Sequence, residues 1–299
     1  MSRTPDAGFI HAFVALQGSA AIALCILLVT ASVSRRITRD ATWYNFCISW
    51  IISCLSYLLL SLAGQQFSST PIHAVCLTQA SLIYAAPPLT ACTTLALVIQ
   101  LWSNVQSISL VPTSPQSKKR GLMSWILLLV PYAVFLVVFI GGLLVGIQHP
   151  DSVIMSPTSG MYCGISIKLP GWVSAILVAT FMLATIVLEF LVVVTFYRNW
   201  RALRDLDARV KNSLTLAIRI ATFTLFSLMS VVVAPVYLAA VMAPVPNIII
   251  SLTPLTAVLV FGTQTDLLYV WMFWRKPPSE ADVPEDFAAI LQRDSVIIV

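Results

Sequence analysis

Charge is scarce in this chain. Asp, Glu, Lys and Arg make up 10 % of its 299 residues, against about 25 % in soluble domains. With 59 % of the residues hydrophobic, no water-facing surface can be assembled from so few charged groups, and the solvent must be lipid. Asparagine never opens an N-x-Ser/Thr sequon, so N-glycosylation is not expected. A cleavable leader is not evident: the first apolar run is longer than a signal core and flows into a basic cluster, as a retained helix does. Paired metal-ligand spacings are absent, as is any serine–histidine pair at one depth. No enzyme activity, metal or cofactor is therefore expected. The last apolar run contains no lysine, which removes the Schiff base that a light-driven retinal pump needs.

What is present is a series of seven apolar runs. They cover about residues 11–33, 43–62, 76–105, 123–147, 171–197, 213–241 and 247–273. Each meets the roughly 20 residues that cross about 30 Å of hydrocarbon. Length alone would suggest about two soluble domains, but one helical bundle absorbs the whole chain. The expected fold class is all-α, a seven-transmembrane helix bundle over 11–273, preceded by a short polar start at 1–10 and followed by a tail at 274–299. Pro131 and Pro235 lie inside runs four and six; neighbouring helices can satisfy the carbonyls that such prolines free. Gly142-x-x-x-Gly146 in the fourth run marks a close helix contact, more often internal packing than dimerisation.

The formal net charge of +5 is not a nucleic-acid signature, because the basic residues form short clusters between apolar runs. Arg35, Arg36 and Arg39 follow run one. Lys118, Lys119 and Arg120 precede run four. Arg198, Arg201, Arg204, Arg209 and Lys211 lie between runs five and six, and Arg275 and Lys276 close run seven. The alternate segments carry only Arg3 and Lys168. Lys and Arg stay on the cytoplasmic side, so the N-terminus is expected outside and the C-terminus inside. Trp43, Trp102, Trp271 and Trp274 then fall at the inner interface and Trp172 at the outer one, where amphipathic rings settle. The tail is acidic (Glu280, Asp282, Glu285, Asp286, Asp294), with Phe287, Ile290 and Leu291 forming a short apolar stripe.

Of six cysteines, Cys25, Cys47, Cys54 and Cys92 lie inside apolar runs, where a buried thiol packs as a small hydrophobe. Cys76, at the outer end of run three, and Cys163 are the only two outside the apolar cores, both on the oxidising side where disulfides persist. A Cys76–Cys163 bridge is expected to pin the loop between runs four and five at the third helix. His11, His73 and His149 also fall at the outer boundary; a pH sensor or zinc site is conceivable there, but scattered surface histidines are the simpler reading.

Three charges lie within runs: Glu189, Arg219 and Asp266. Each is eight or nine positions from a basic residue of the inner boundary, which places it roughly 12–14 Å deep. Such groups pair or line a polar cavity. Either Arg219 pairs with Asp266 or Glu189 as a polar lock holding the inner side shut, or it snorkels to the headgroups. In the outer half, Gln79, Tyr84, Tyr237, Thr253 and Thr256 are candidates for a small apolar ligand pocket with few polar groups, unless they bond to backbone instead. Pro235 is either a hinge or a static kink in the sixth helix.

The topology, together with Thr42-Trp-Tyr-Asn-Phe46, Ser49-Trp-Ile51, Cys76-Leu-Thr-Gln-Ala80 and Tyr84-Ala-Ala-Pro-Pro88, resembles the seven-helix receptor-like proteins of basidiomycete fungi within the G-protein-coupled receptor superfamily. The chain departs from the superfamily at several points. Gln100-Leu-Trp102 is not a D-R-Y triplet, no tryptophan precedes Pro235 by two residues, and Asp266-Leu-Leu-Tyr269 lacks the N-P-x-x-Y spacing. The resemblance implies a plasma-membrane receptor for an extracellular small molecule, lipid or short peptide. It would signal to a heterotrimeric G protein through Arg198, Arg201, Arg204, Arg209 and Lys211. The runner-up is a secondary transporter or channel using Glu189, Arg219 and Asp266 as an ion path.

Overall fold

A computed structural model gives the fold. It describes residues 7–34, 39–68, 71–109, 117–155, 160–198, 215, 217–226, 228, 244–264, 267, 270 and 271. The elements are α1 (Ala7–Val33), α2 (Ala41–Leu62), α3 (His73–Ser109), α4 (Ser117–Gln148), a 3-10 turn (Pro150–Ser152), β1 (Val153–Met155), β2 (Cys163–Ile165) and α5 (Lys168–Arg198). They are followed by α6 (Ala217–Phe226) and α7 (Pro244–Gly262). The protein is mostly helical, and α1 to α5 are long and apolar enough to cross a membrane. The described stretches of α6 and α7 are shorter apolar helices.

The third helix is the core of the bundle. It packs against α2, α4 and α5 and against both strands, while α1 packs on α2 and α7. In its most apolar window 72 % of residues are buried, against 22 % in α4 and 17 % in α5. The outer faces of α4 and α5 carry exposed Leu129, Val137, Leu144, Leu183 and Phe190. Exposed apolar side chains along both helices suit contact with lipid. Pro87 and Pro88 lie within α3 without ending it. Neither can donate to the carbonyl four residues earlier. The Thr90 hydroxyl donates to the Pro87 carbonyl at 3.0 Å, and Thr94 donates to Thr90 O at 2.7 Å.

Two features depart from the sequence expectation. The segment between α4 and α5, read as plain loop, holds an antiparallel hairpin with Val153 opposite Ile165 and Met155 opposite Cys163. Three-residue strands are too short to show an alternating pattern. The seventh helix, expected unbroken over 247–273, closes at Gly262, where Thr263 N–H still reaches Leu259 O at 3.3 Å. Helical backbone is described again at Leu267, Val270 and Trp271. Gly262 and the polar pair Thr263 and Gln264 favour a break there, and glycine commonly marks helix ends.

Gly142 and Gly146 contact α3 of the same chain. A Cβ on Gly142 would lie 3.2 Å from Ser81 Cα, and one on Gly146 would lie 2.2 Å from Leu77 Cδ1. Gly141 has nothing within 4 Å. Gly142→Leu is expected to cost about 1–3 kcal/mol by overpacking, seen as a lower thermal midpoint in detergent, whereas Gly141→Leu is near neutral. An unchanged midpoint with a lost dimer would place Gly142 between chains instead.

Candidate functional site

One end of the bundle is closed by the hairpin. Cys76, in the first turn of α3, is disulfide-bonded to Cys163 with Cα atoms 5.3 Å apart. Gln79 lies three residues on, hence on the same face of α3. It is fully buried. Its Nε2 donates to Ser56 O (3.3 Å) and Tyr57 O (3.1 Å) of α2, and its Oε1 accepts Cys163 N–H at 2.9 Å. Tyr84 Oη donates to Ile165 O at 3.1 Å and accepts Ile165 N–H at 3.3 Å. Gln66 Nε2 holds the carbonyls of Gly160 and Met161 at 3.1 and 3.0 Å. Tyr162 Oη donates to Asn247 Oδ1 at 3.0 Å, tying the hairpin to α7. Burial pushes the Tyr162 phenol up to about 12, with Tyr84 adding to the shift and the Asn247 bond opposing it. It therefore stays a neutral donor at physiological pH.

Beneath this lid lies a cavity of about 290 Å³ shared by α1, α2, α3, α5, α6 and α7. Its polar lining is Gln17, Ser53, Thr90, Thr94, Thr224 and Thr253. Trp50 and Phe223 also face it; they meet edge to face at 5.7 Å and pack with Phe46 and Phe261 in one aromatic cluster. Tyr57 lines the cavity and stacks edge-on against Tyr162, 5.7 Å away, which places the lid next to the cavity wall. Of the five residues proposed for a ligand pocket, Thr253 lines the cavity. Gln79 and Tyr84 serve the lid instead. Thr256 donates to Leu252 O within its own helix at 3.1 Å, and Tyr237 lies outside the described residues. The sequence reading missed Gln17 and Trp50, because one glutamine and one tryptophan inside apolar runs look like ordinary packing.

Glu189 and Arg219 bond to different elements, which spacing alone does not show. Glu189 Oε1 accepts the Thr224 hydroxyl at 2.7 Å, joining α5 to α6 at the cavity wall. Arg219 reaches the end of α7: it donates to Val260 O, to Thr263 Oγ1 at 3.0 Å and to Thr263 O at 3.0 Å. Carbonyls at a helix C-terminus have no partner within the helix, and a cation there also meets the negative end of the helix dipole. Asp266 lies outside the described residues, as do Arg201, Arg204, Arg209 and Lys211. Arg198 is exposed in the last turn of α5.

At the bundle end opposite the hairpin, Gln100 Nε2 donates to Asn104 Oδ1 at 3.2 Å, and Asn104 Nδ2 donates to Asp40 Oδ2 at 3.1 Å. This chain joins the end of α3 to the start of α2. It joins residues of separate stretches, so no local motif in the sequence marks it. His11 stacks at a tilt on Phe67, 5.3 Å away. Among the described residues, no group of three or more His, Cys, Asp or Glu is placed to hold a metal. No family model and no curated protein matches the sequence.

Gln79→Leu strands the buried Cys163 N–H and the Ser56 and Tyr57 carbonyls. Each such loss costs about 1–3 kcal/mol. The expected outcome is a lower thermal midpoint and faster hydrogen exchange at Cys163 with the disulfide intact. Unchanged exchange would show that the bridge alone holds the lid.

Proposed function

We propose that the chain is a seven-transmembrane receptor of the plasma membrane. Its N-terminus and hairpin lid lie outside, and its basic segment after α5 and its tail lie inside. A small molecule, lipid or short peptide occupies the central cavity, and a heterotrimeric G protein reads the basic ends of the fifth and sixth helices. The observation that carries this reading is the composition of α6. Phe223 and Thr224 face the cavity, and Arg219, one turn away, holds the end of α7. A ligand that moves Phe223 and Thr224 therefore bears on the helix that carries Arg219. It shifts the balance only by binding the open and closed states with different affinity. The disulfide at the lid end supports placing that end on the oxidising side, and the basic segments support placing the other end inside.

Glu189 favours a second reading, transport of an ion or small solute. Its carboxylate sits within α5 and is one hydrogen bond from the cavity wall, and acids at such depth mark ion paths.

The test is guanine-nucleotide exchange on a panel of Gα subunits in membranes holding the wild type, Arg219→Ala or the outward-facing control Ile218→Ala. Charge-assisted hydrogen bonds are worth about 1.5–3 kcal/mol. Losing them from the closed state alone should raise ligand-independent exchange about tenfold or more in Arg219→Ala, with Ile218→Ala unchanged. No exchange from any variant, together with ion flux in proteoliposomes that Glu189→Gln abolishes, would replace the receptor with the transporter.

A further inference from the structure

One side of the cavity wall is a stripe of α2. Trp50, Ser53 and Tyr57 follow one another at spacings of three and four residues, so they share a helix face, and all three line the cavity. Ser53 stands between the two aromatic residues. Its side chain is only a methylene and a hydroxyl. The residue keeps 8 % of its surface exposed, and its Oγ is not among the unpartnered atoms that burial seals off. The hydroxyl makes no hydrogen bond among the described residues. Its neighbours behave otherwise. Ser49 donates to Phe46 O, Ser56 to Ile52 O, Thr90 to Pro87 O and Thr94 to Thr90 O. Hydroxyls in hydrocarbon turn back onto the helix in this way because no water is at hand. Ser53 instead keeps both its donor and its acceptor sites for whatever fills the cavity.

The rest of the lining sets the other limits. Among the described residues it holds no Asp, Glu, Lys, Arg or His, so an ionised ligand would be buried there without a counter-charge, which is costly. Met182, Phe223 and Ile250, from α5, α6 and α7, supply an apolar wall. The volume, about 290 Å³, falls just under the range of about 300–1,000 Å³ for ligand pockets. A peptide with charged ends and a phospholipid are both disfavoured by these limits.

We propose that the cavity takes a small, uncharged, mostly apolar molecule with a single hydroxyl or carbonyl group, held by one hydrogen bond to the Ser53 hydroxyl. A ligand hydroxyl gives or accepts the proton of that bond, and a ligand carbonyl accepts it from Ser53. The Trp50 and Tyr57 rings flank the polar group, and the apolar body lies toward Met182, Phe223 and Ile250. The inference rests on the receptor reading only in taking the cavity as the ligand's seat.

The experiment uses the full chain in phosphatidylcholine nanodiscs, without a G protein. The photoprobes are a diazirine-bearing octanol and the matching octane, which lacks the hydroxyl, with adducts mapped by mass spectrometry. Saturable octanol adducts are expected on cavity residues such as Met182 and Ile250. Unlabelled octanol displaces them, and octanoate and octylamine do not. Ser53→Ala weakens octanol labelling about tenfold, the loss of one hydrogen bond, and leaves the weaker octane labelling and the thermal midpoint unchanged. Ser56→Ala, whose hydroxyl serves its own helix, leaves octanol labelling unchanged. Equal octanol labelling of wild type and Ser53→Ala overturns the proposal, as does displacement by octanoate or octylamine or an absence of cavity adducts. A parallel loss of octane labelling, or a marked fall in the midpoint of Ser53→Ala, also overturns it by making Ser53 structural. Because no nucleotide exchange is read, a receptor that fails to couple to a G protein leaves these outcomes unaffected.

Discussion

A polar group placed in hydrocarbon has no water as an alternative partner, and most of this fold follows from that constraint. Hydroxyls along the helices turn back onto their own backbone: Thr30 onto Ile26, Ser56 onto Ile52, Thr78 onto Ala74 and Thr180 onto Ile176. The side chains that do otherwise define the tertiary structure. Ser49 meets Thr93 at 2.8 Å between α2 and α3. Gln79 joins α3 to α2 and to the hairpin. Arg219 meets carbonyls where α7 stops. Each is placed where backbone or a neighbouring helix would otherwise leave an unmet group, so polar contacts fix the register while apolar packing supplies the bulk of the association.

The same constraint explains why the lid is so heavily bonded. Irregular backbone at the bundle end survives only if its N–H and C=O groups find protein partners. Gln66, Gln79 and Tyr84 supply them for Gly160, Met161, Cys163 and Ile165. The disulfide closes a separation of 87 residues, which limits the unfolded chain and stabilises by about 2–4 kcal/mol in typical cases. The bridge restricts where the hairpin can be, and the hydrogen bonds determine how it sits. That division of labour is why Gln79 and Tyr84 belong to the lid, although their depth in α3 made them plausible pocket residues.

The long helices and the Cys76–Cys163 pair were legible in the sequence for physical reasons. Span length and hydropathy are one-dimensional properties, and two cysteines outside the apolar cores leave little choice of partner. The glycines at 142 and 146 were legible as a contact because small residues four apart present one face. The site was less so. Gln17 and Trp50 differ from packing residues only in the cavity they line, and that becomes visible only when six helices are assembled. Glu189 and Arg219 share a depth, which suggested a pair, but depth fixes height and not azimuth. The structure directs one toward Thr224 on α6 and the other toward Val260 and Thr263 at the end of α7.

That separation bears on how a signal would cross the bundle. A lock made of an ion pair between two helices opens when either charge is neutralised. A guanidinium that also holds carbonyls at a helix end, as Arg219 does, keeps those bonds whatever the pH, because carbonyls cannot be titrated, and loses them when the helices move apart or the end unwinds. In the proposed receptor, two contacts of α6 therefore answer to geometry, Phe223 through the packing of Trp50 and Phe261 and Arg219 through the position of Thr263, beside the Thr224 bond to Glu189. Because the two lie one turn apart on the same helix, a rotation that relieves a crowded Phe223 also turns Arg219 away from the α7 end.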